Sequence, residues 1–352
     1  MKIGILTFHR AMNYGAILQA YALEHKLNEI GADTCIVDYR NDEIENCTKL
    51  IGKNEKFGLK TLPKVIFRFI KHRKFNSFIK SNINLSKAIY NADEMAALSK
   101  NFDAFISGSD QVWNDGCIND DIVYFQSFDN NIKKYTYAAS IGGDIERAKR
   151  VNGKFQEYIG LFDKISLRES NIEPYFIENY GDRVRCDIDP VLLFNSNDWL
   201  NVMSKRRHKK PYIFVYLVGE PNNIKGFASN LSSKYGLDLI DNKSNIEFMR
   251  YSGPEDFLSW IYNADIVVTN SFHGTAFSVL FKKNFYCEFK SKNGYNYRSQ
   301  QLLSSLGIDN REILTKEEPN TCLDVDYSNA DIKLEKLRKK SLDYLKFIVG
   351  NK

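Results

Sequence analysis

The stretch "KIGILTFHRAMNYGAILQAYALEHKLNEIGADTCIVDY", residues 2–39, decides the fold. It opens with a short apolar run, continues into a segment whose apolar residues recur at helical spacing, and closes with the apolar run "TCIVDY". Gly31 stands where the predicted helix, residues 15–30, should end. Strand, helix and strand in this order form a βαβ unit and predict a parallel sheet.

The same alternation continues along the chain. Further strands are predicted at "FDAFISG", "KYTYAASIG", "DKISLR", "RVRCDID", "YIFVYLVG", "GLDLID", "ADIVVTN" and "KNFYCEF". Residues 41–90 break the rhythm and predict an inserted helical segment, while the basic stretch "NVMSKRRHKK", residues 201–210, indicates a domain boundary. We therefore predict an α/β fold of two doubly wound domains facing a cleft. They are residues 1–200 and 201–352, with the terminal helix packing back on the N-terminal domain.

Composition excludes several classes of protein. The 352 residues are 43% hydrophobic with a net charge of +5, which argues against disorder and against a nucleic-acid binder with clustered basic charge. The six cysteines form no CxxC pair, and the N-terminal apolar run is too short for a signal peptide. No stretch approaches the roughly 20 apolar residues of a membrane span. We expect a cytoplasmic protein without metal, cofactor or nucleic-acid partner.

Polar residues follow several predicted strands, at the edge where open α/β sheets bind ligands. They are Asn13, Tyr14 and Gly15 after the first strand, Asp110 and Gln111 after "FDAFISG", Arg168 after "DKIS", and Asp189 after "RVRCDI". Each position has a structural alternative. Gly15 could serve turn geometry alone, and Ser109 or Asp110 could cap a helix. Arg168 could form a surface salt bridge, and Asp189 could begin an Asp-Pro turn.

The stretch "TNSFHGTAFSVLF", residues 269–281, places His273 where a strand turns into a helix. Ser271 is a suitable helix cap, and Gly274 follows the histidine. Either His273 is an ordinary first-turn residue, or the free N–H groups of the helix hold an anion while the imidazole transfers a proton.

The motifs "NYGAILQAYAL", "GSDQVWN", "SLRES", "DPVLL" and "SFHGTAFSVL" occur in this order and resemble the polysaccharide pyruvyl transferase family. The resemblance implies two Rossmann-like domains similar to the GT-B glycosyltransferase architecture. It also implies a transferase that moves pyruvate from phosphoenolpyruvate onto a saccharide acceptor, either free or lipid-linked. By this match His273, Asp110 and Asp189 would be catalytic and Arg168 would contact the donor.

Several characterised members have an arginine two residues before the histidine, where this chain has Ser271. Arg298 or Lys282 is then expected to supply the charge, or the donor differs. A GT-B-type glycosyltransferase using a nucleotide sugar is the first alternative, and a non-catalytic sugar-binding protein is the second.

The basic amphipathic segment at residues 60–80 predicts either a packed surface helix or peripheral contact with the inner face of the membrane.

Overall fold

The computed structural model describes residues 1–40, 62–129, 131–291, 294–317 and 324–351. The chain divides into two compact units. The first comprises Met1–Val65, Asn76–Leu193 and Leu337–Lys352, and the second comprises Ile66–Phe75 and Phe194–Lys336. The change between Leu193 and Phe194 lies close to the boundary predicted at residue 200. Residues 41–61 of the predicted insertion lie outside the described part of the chain.

The first unit contains a parallel sheet in the order β2-β1-β3-β4. Its strands are β1 (Lys2–Leu6), β2 (Asp33–Ile36), β3 (Ala104–Ser107) and β4 (Lys133–Thr136). A parallel pair, β5 (Ile165–Leu167) and β6 (Val184–Cys186), continues the sheet beyond β4 through bridges from Tyr135 to Lys164 and from Ala139 to Leu167. The central strands β1 and β3 are nearly continuous apolar runs because both faces of a parallel sheet are covered.

The helices of the first unit flank this sheet. They are α1 (Tyr14–Glu29), α3 (Ala92–Ser99), α4 (Asp115–Ile118), α5 (Ile145–Ile159) and α6 (Glu173–Tyr180). The intervening helix α2 (Leu62–Asn82) has its middle in the second unit and its C-terminal end in the first. Short 3₁₀ turns lie at Ile122–Phe125, Gly181–Arg183 and Pro190–Leu193.

The second unit has its own parallel sheet in the order β10-β9-β7-β8. The strands are β7 (Tyr212–Tyr216), β8 (Asp238–Asp241), β9 (Ile266–Thr269) and β10 (Asn284–Cys287), followed by the short antiparallel pair β11 (Lys290–Ser291) and β12 (Gly294–Tyr295). The helices are α7 (Ser196–Leu200), α8 (Ile224–Tyr235), α9 (Ile246–Arg250), α10 (Pro254–Tyr262), α11 (Phe272–Leu280) and α12 (Tyr297–Leu306).

The last helix, α13 (Ser328–Gly350), begins in the second unit, and its residues from Leu337 onward belong to the first. Its C-terminal half is held there by polar contacts. The Ser341 hydroxyl donates to Asp187 Oδ1 at 2.9 Å, and the Tyr344 hydroxyl donates to the Thr136 carbonyl at 2.9 Å. Three buried apolar residues of this helix accompany them: Tyr344, Leu345 and Ile348.

A buried carboxyl on α1 makes the first unit sensitive to pH. Glu24 is 4% exposed, and its Oε1 accepts a hydrogen bond from the Asn84 N–H at 2.9 Å. Burial raises the pKa of Glu24 from 4.5 to about 7, although the Asn84 bond acts in the opposite direction. Between these two pH values the folded state binds more protons than the unfolded state, so the free energy of unfolding falls as the pH rises.

We expect Glu24→Gln to be nearly neutral at pH 4.5 and to be more stable than the wild type by about 2–3 kcal/mol at pH 8. Glutamine keeps the acceptor for Asn84 and never ionises. Denaturant unfolding of both proteins at several pH values measures the difference. Glu29→Gln, a change at a half-exposed position on the same helix, is the control. Parallel stability curves for Glu24→Gln and the wild type would contradict the prediction.

Candidate active site

The carboxyl ends of the strands in both units carry clusters of polar side chains. In the first unit the strand order reverses between β1 and β3, and in the second unit it reverses between β7 and β9. Open α/β sheets bind ligands in the crevice at such switch points. The loop at residues 7–13 and the turn at residues 108–111 flank the first crevice. The segments at residues 217–223 and 270–273 flank the second.

Arg168 and Asp189, which follow β5 and β6, form a buried ion pair in the first unit. Arg168 Nη1 donates to Asp189 Oδ2 at 2.7 Å, and the Arg168 and Asp189 side chains are 2% and 0% exposed. The Ser109 hydroxyl donates to the same Asp189 oxygen at 3.1 Å and lies 3.3 Å from Arg168 Nη1. Burial alone would lower the pKa of Arg168, but Asp189, Glu169 and Asp110 raise it above its ordinary value.

The sequence predicted that Arg168 grips the donor and that Asp189 is a catalytic carboxylate. In the structure these two side chains face each other, and their predicted roles stay predictions. Asp189 Oδ1 also accepts from the Val191 N–H at 3.1 Å, which is the Asp-Pro turn considered as the alternative. Neither side chain presents an appreciable surface to a ligand in this arrangement. The pair links the chain segments that follow β5 and β6, and Ser109 joins the segment after β3 to them.

Asp110 is the carboxylate of this group that reaches the surface. Its side chain is 13% exposed, and its Oδ1 lies 4.0 Å from Arg168 Nη2. Its backbone is in the left-handed region, with φ of 75°, which is uncommon for a residue other than glycine. Strained backbone of this kind concentrates at functional sites.

Glu169 follows Arg168 in the chain and is fully buried. Its Oε1 accepts from the Ser140 hydroxyl and from the Gly142 N–H, the latter at 3.2 Å. Together with Asp110 and Asp189 it makes three carboxylates around one guanidinium. These buried charges interact with one another within the folded chain, whether or not a ligand binds at the strand ends.

The remaining predicted residues of the first unit have structural partners. Asn13 caps α1, because its Oδ1 accepts from the Gly15 N–H at 2.9 Å and from the Ala16 N–H at 3.4 Å. Tyr14 and Gly15 are buried in the first turn. Gln111 accepts from the Asn114 side chain. Helix capping therefore accounts for the observed contacts of Asn13, and ligand binding by these residues stays a prediction.

Sequence reasoning missed a basic cluster after β1 and β2. Buried His9 places Nε2 3.1 Å from Asp38 Oδ1, and Arg40 donates to both oxygens of the same carboxylate at 3.1 and 2.8 Å. Arg10 adds a further contact at 3.5 Å. Burial would raise the pKa of Asp38, but the bonds from His9 and Arg40 hold it well below its usual range. The signal was present in "TFHR", where two basic residues directly follow the first strand.

His273 lies in the first turn of α11 and is 7% exposed. Ser271 is the helix cap, with its Oγ 3.4 Å from the Gly274 N–H. A Cβ at Gly274 would lie 2.4 Å from Thr269 Oγ1, so this glycine permits close packing of α11 on β9. The capping role predicted for Ser271 is observed, and it coexists with a histidine at the positive end of the helix.

Arg298 lies beside this helix end. Asn296 caps α12 and donates through Nδ2 to the Asn270 carbonyl at 3.0 Å, which fixes the first turn of α12 next to the start of α11. The Arg298 guanidinium packs over the Phe272 ring at 5.6 Å, and that ring lies 5.1 Å from the His273 ring. Lys282 follows the opposite end of α11 and pairs with Asp331 at 2.5 Å. Of the two cations considered, Arg298 is the one near His273.

A second helix in this unit has its N-terminus closed by a side chain. Buried Glu288 accepts from the backbone N–H groups of Asn222 at 3.0 Å and Ile224 at 3.2 Å, and also from that of Asn223. The positive end of α8 is therefore already neutralised by an internal carboxylate. Among the described residues, the side chains that accept from backbone N–H groups at the corresponding end of α11 are the neutral hydroxyls of Thr269 and Ser271.

Two further features do not add to the site. A groove of about 330 Å³, lined by Lys2, Asp33 and Phe102 among others, lies at the amino ends of β1 and β2, the opposite edge of the sheet from these polar clusters. Within the described ranges no group of three or more His, Cys, Asp or Glu side chains has the geometry to hold a metal ion.

Comparison with known proteins gives a family and a fold. A family model described as polysaccharide pyruvyl transferase matches residues 13–287, which confirms the resemblance seen in the motifs. No curated protein matches the chain significantly. A UDP-GlcNAc 2-epimerase from Neisseria meningitidis bound to UDP-GlcNAc is similar in structure, with a TM-score of 0.50, 10% identity, and coverage of 100% of this chain and 99% of that one.

A putative UDP-N-acetylglucosamine 2-epimerase from Listeria monocytogenes is similar to the same degree. Its TM-score is 0.50 at 10% identity, with coverage of 98% of this chain and 90% of that chain. At such identities the likeness concerns the fold alone. The predicted fold class, α/β with two Rossmann-like domains of the GT-B kind, is confirmed.

Proposed function

Because the chain belongs to the polysaccharide pyruvyl transferase family, we propose that it moves a pyruvate unit from phosphoenolpyruvate onto a sugar of a cell-surface polysaccharide or its precursor. The products are a cyclic ketal and inorganic phosphate. The observation that carries the proposal is the first turn of α11, where His273 stands at the positive end of a helix beside Arg298. An anionic donor that must be protonated matches this combination of groups.

The transfer forms two carbon–oxygen bonds at one carbon. A sugar hydroxyl adds to the enol carbon and gives up its proton to a base, while the terminal methylene takes up a proton from an acid and becomes a methyl group. Phosphate then leaves with its bonding electron pair, and a second hydroxyl of the sugar forms the second bond and loses its proton. The reaction therefore needs an acid, a base and positive charge near the departing phosphate.

In the second unit we assign the proton transfer to His273 and the charge to Arg298 together with the N–H groups of the α11 first turn. Arg298 takes the role that an arginine at position 271 has in several members of the family. Ser271 and Gly274 shape the helix end. Glu288 favours α11 over α8 as the anion site, since a carboxylate already occupies the N-terminus of α8.

In the first unit we assign Asp110 to the sugar hydroxyl, because it is the most exposed carboxylate of the cluster around Arg168. Arg168 and Asp189 are positioning residues in this proposal. Their ion pair keeps Ser109 and Asp110 at the end of β3. An acceptor with several hydroxyl groups also suits the neighbouring Gln111 amide.

The alternative function is glycosyl transfer from a nucleotide sugar. Ser271 in place of arginine is the observation that favours it. A diphosphate would also suit the N-terminus of α11. The two functions differ in the donor consumed and in the group added to the acceptor.

A donor screen distinguishes them. Wild-type protein is incubated with a panel of saccharides and either phosphoenolpyruvate or nucleotide sugars. We expect acceptor-dependent release of phosphate from phosphoenolpyruvate and a product carrying a pyruvyl ketal by mass spectrometry. We also expect Arg298→Met to raise KM for phosphoenolpyruvate by roughly tenfold or more, with the acceptor KM unchanged, because a charge-assisted contact is lost.

Lys282→Met is the matched control, since it removes a cation from the far end of the same helix and should leave the donor KM unchanged. Transfer of a sugar from a nucleotide sugar, with no consumption of phosphoenolpyruvate, would replace the proposal by the alternative. A donor KM that responds equally to both substitutions would remove Arg298 from the donor site.

Membrane contact and a cytoplasmic location remain predictions. No helix among the described residues combines the length and apolarity that crossing a bilayer requires. On α2, Leu62, Ile66 and Phe69 are exposed, which suits an interfacial helix. Lys74, however, pairs with buried Asp256 at 2.5 Å. Its charge is therefore used within the second unit, which leaves fewer basic side chains on α2 for anionic lipid than the sequence suggested.

A further inference from the structure

The side-chain amide of Asn270 lies at the switch point of the second unit, and its oxygen is hydrogen-bonded within the protein. Asn270 follows β9 and is 7% exposed. Its Oδ1 accepts from the Val218 N–H at 2.8 Å, and Val218 follows the neighbouring strand β7. Its backbone carbonyl accepts from Asn296 Nδ2 at 3.0 Å. The residue is therefore fixed from two directions, between the strand ends where a ligand is expected.

The nitrogen of the Asn270 amide has no hydrogen-bond partner among the described residues. Asn270 Nδ2 is buried and makes no hydrogen bond within the part of the chain that the structure describes. The amide cannot be turned over to relieve this, because Oδ1 must face the Val218 N–H. A buried donor left without an acceptor costs free energy, so native proteins seldom retain one without a reason. Asn270 adjoins the Ser271 cap, so this donor belongs to the same strand-to-helix turn as His273.

We propose that Asn270 Nδ2 donates a hydrogen bond to an anionic oxygen, a carboxylate or phosphate oxygen of the donor substrate, bound at the N-terminus of α11. This deepens the proposed function, because it names a neutral group that positions the donor beside His273 and Arg298. The loss of hydration at Nδ2 on folding is then offset when substrate binds. Asn270 is a positioning and binding residue and takes no part in proton transfer.

Asn242 provides a matched comparison in the same unit. Its Oδ1 accepts from the Leu217 N–H at 2.8 Å and its Nδ2 donates to the Leu217 carbonyl at 3.2 Å, so both halves of its amide are used by the fold. Asn242 and Asn270 thus hold adjacent residues of one loop. Only Asn270 carries a donor that the fold leaves unused.

The test measures Kd by calorimetry for phosphoenolpyruvate, UDP-N-acetylglucosamine and inorganic phosphate. Asn270→Asp preserves the acceptor for Val218 and replaces the donor by a carboxylate. Asn270→Ala removes the amide without adding charge, and Asn242→Ala removes the neighbouring loop contact. For whichever anion the wild type binds, we expect Kd to rise at least tenfold in both Asn270 variants and less than threefold in Asn242→Ala.

Equal changes in Kd for Asn270→Ala and Asn242→Ala would overturn the inference, because the loop contact alone would then explain the loss. So would a Kd for Asn270→Asp within threefold of wild type, or a wild type that binds none of the three probes. Binding of UDP-N-acetylglucosamine but not phosphoenolpyruvate would defeat the proposed function, while the comparison of variants would still decide the role of Asn270.

Discussion

Replacing His273 by glutamine is expected to lower kcat by roughly 10²–10⁴-fold, the usual contribution of a positioned acid–base group. Glutamine approximates the size of the imidazole and retains hydrogen-bonding capacity, but it cannot transfer a proton. His273 lies in the first turn of α11, where its ring contacts the Phe272 ring at 5.1 Å, and glutamine can occupy much of the same space. The melting temperature should therefore stay close to that of the wild type. Steady-state kinetics and thermal unfolding of the same preparation measure both quantities.

His208→Gln is the control for this substitution. His208 lies in the same unit and contacts Glu247 at 2.8 Å and Asp238 at 2.9 Å, so its replacement should reduce stability and leave kcat unchanged. If His273→Gln retains a kcat within threefold of wild type, His273 has no part in proton transfer. If its loss of activity follows a loss of folded protein, His273 is a packing residue.

Sequence patterns predicted most of the fold because the signals are local. Every strand of the two main sheets falls within a strand-like stretch identified from the sequence or overlaps one, and the central strands β1, β3, β7 and β9 are the most continuously buried. The helix α1 was predicted within one residue at each end from its periodicity and Gly31. Such local patterns do not predict which segments distant in the chain pack together. Ile66–Phe75 joins the second unit partly through Lys74 and Asp256, which are far apart in the chain.

The candidate site was predictable in location but less so in role. His273 and Asp110 follow strand ends, where open α/β sheets bind ligands, and their part in a site stays a prediction. The role of Arg168 depends on Asp189 following the adjacent strand β6 and Ser109 following β3, and this pairing exists only once the sheet is ordered. Asn270 carried no signal at all, because an unused donor is visible only when the partners of its other atoms are known.

The buried ion pair of the first unit leads to the second large expected effect. Asp189→Ala should lower the free energy of unfolding by about 3–5 kcal/mol. The substitution leaves the Arg168 guanidinium buried without its closest counter-charge and removes the acceptor for Ser109 and Val191. Asp189→Asn keeps the shape and the Val191 contact, so we expect a smaller loss of about 1–3 kcal/mol. Denaturant unfolding followed by circular dichroism measures both variants.

Asp115→Ala is the surface control, because Asp115 pairs at 2.7 Å with an arginine, Arg150, whose side chain is 55% exposed. An exposed pair of this kind contributes less than about 1 kcal/mol, since water screens the charges in the folded state and solvates them when they separate. The contrast between the two aspartates tests whether burial, and not pairing as such, sets the cost. If Asp189→Ala and Asp115→Ala lose similar free energies, water must reach Arg168 in the folded protein. Arg168 would then be open to a ligand, and its predicted contact to the donor would be favoured over a positioning role.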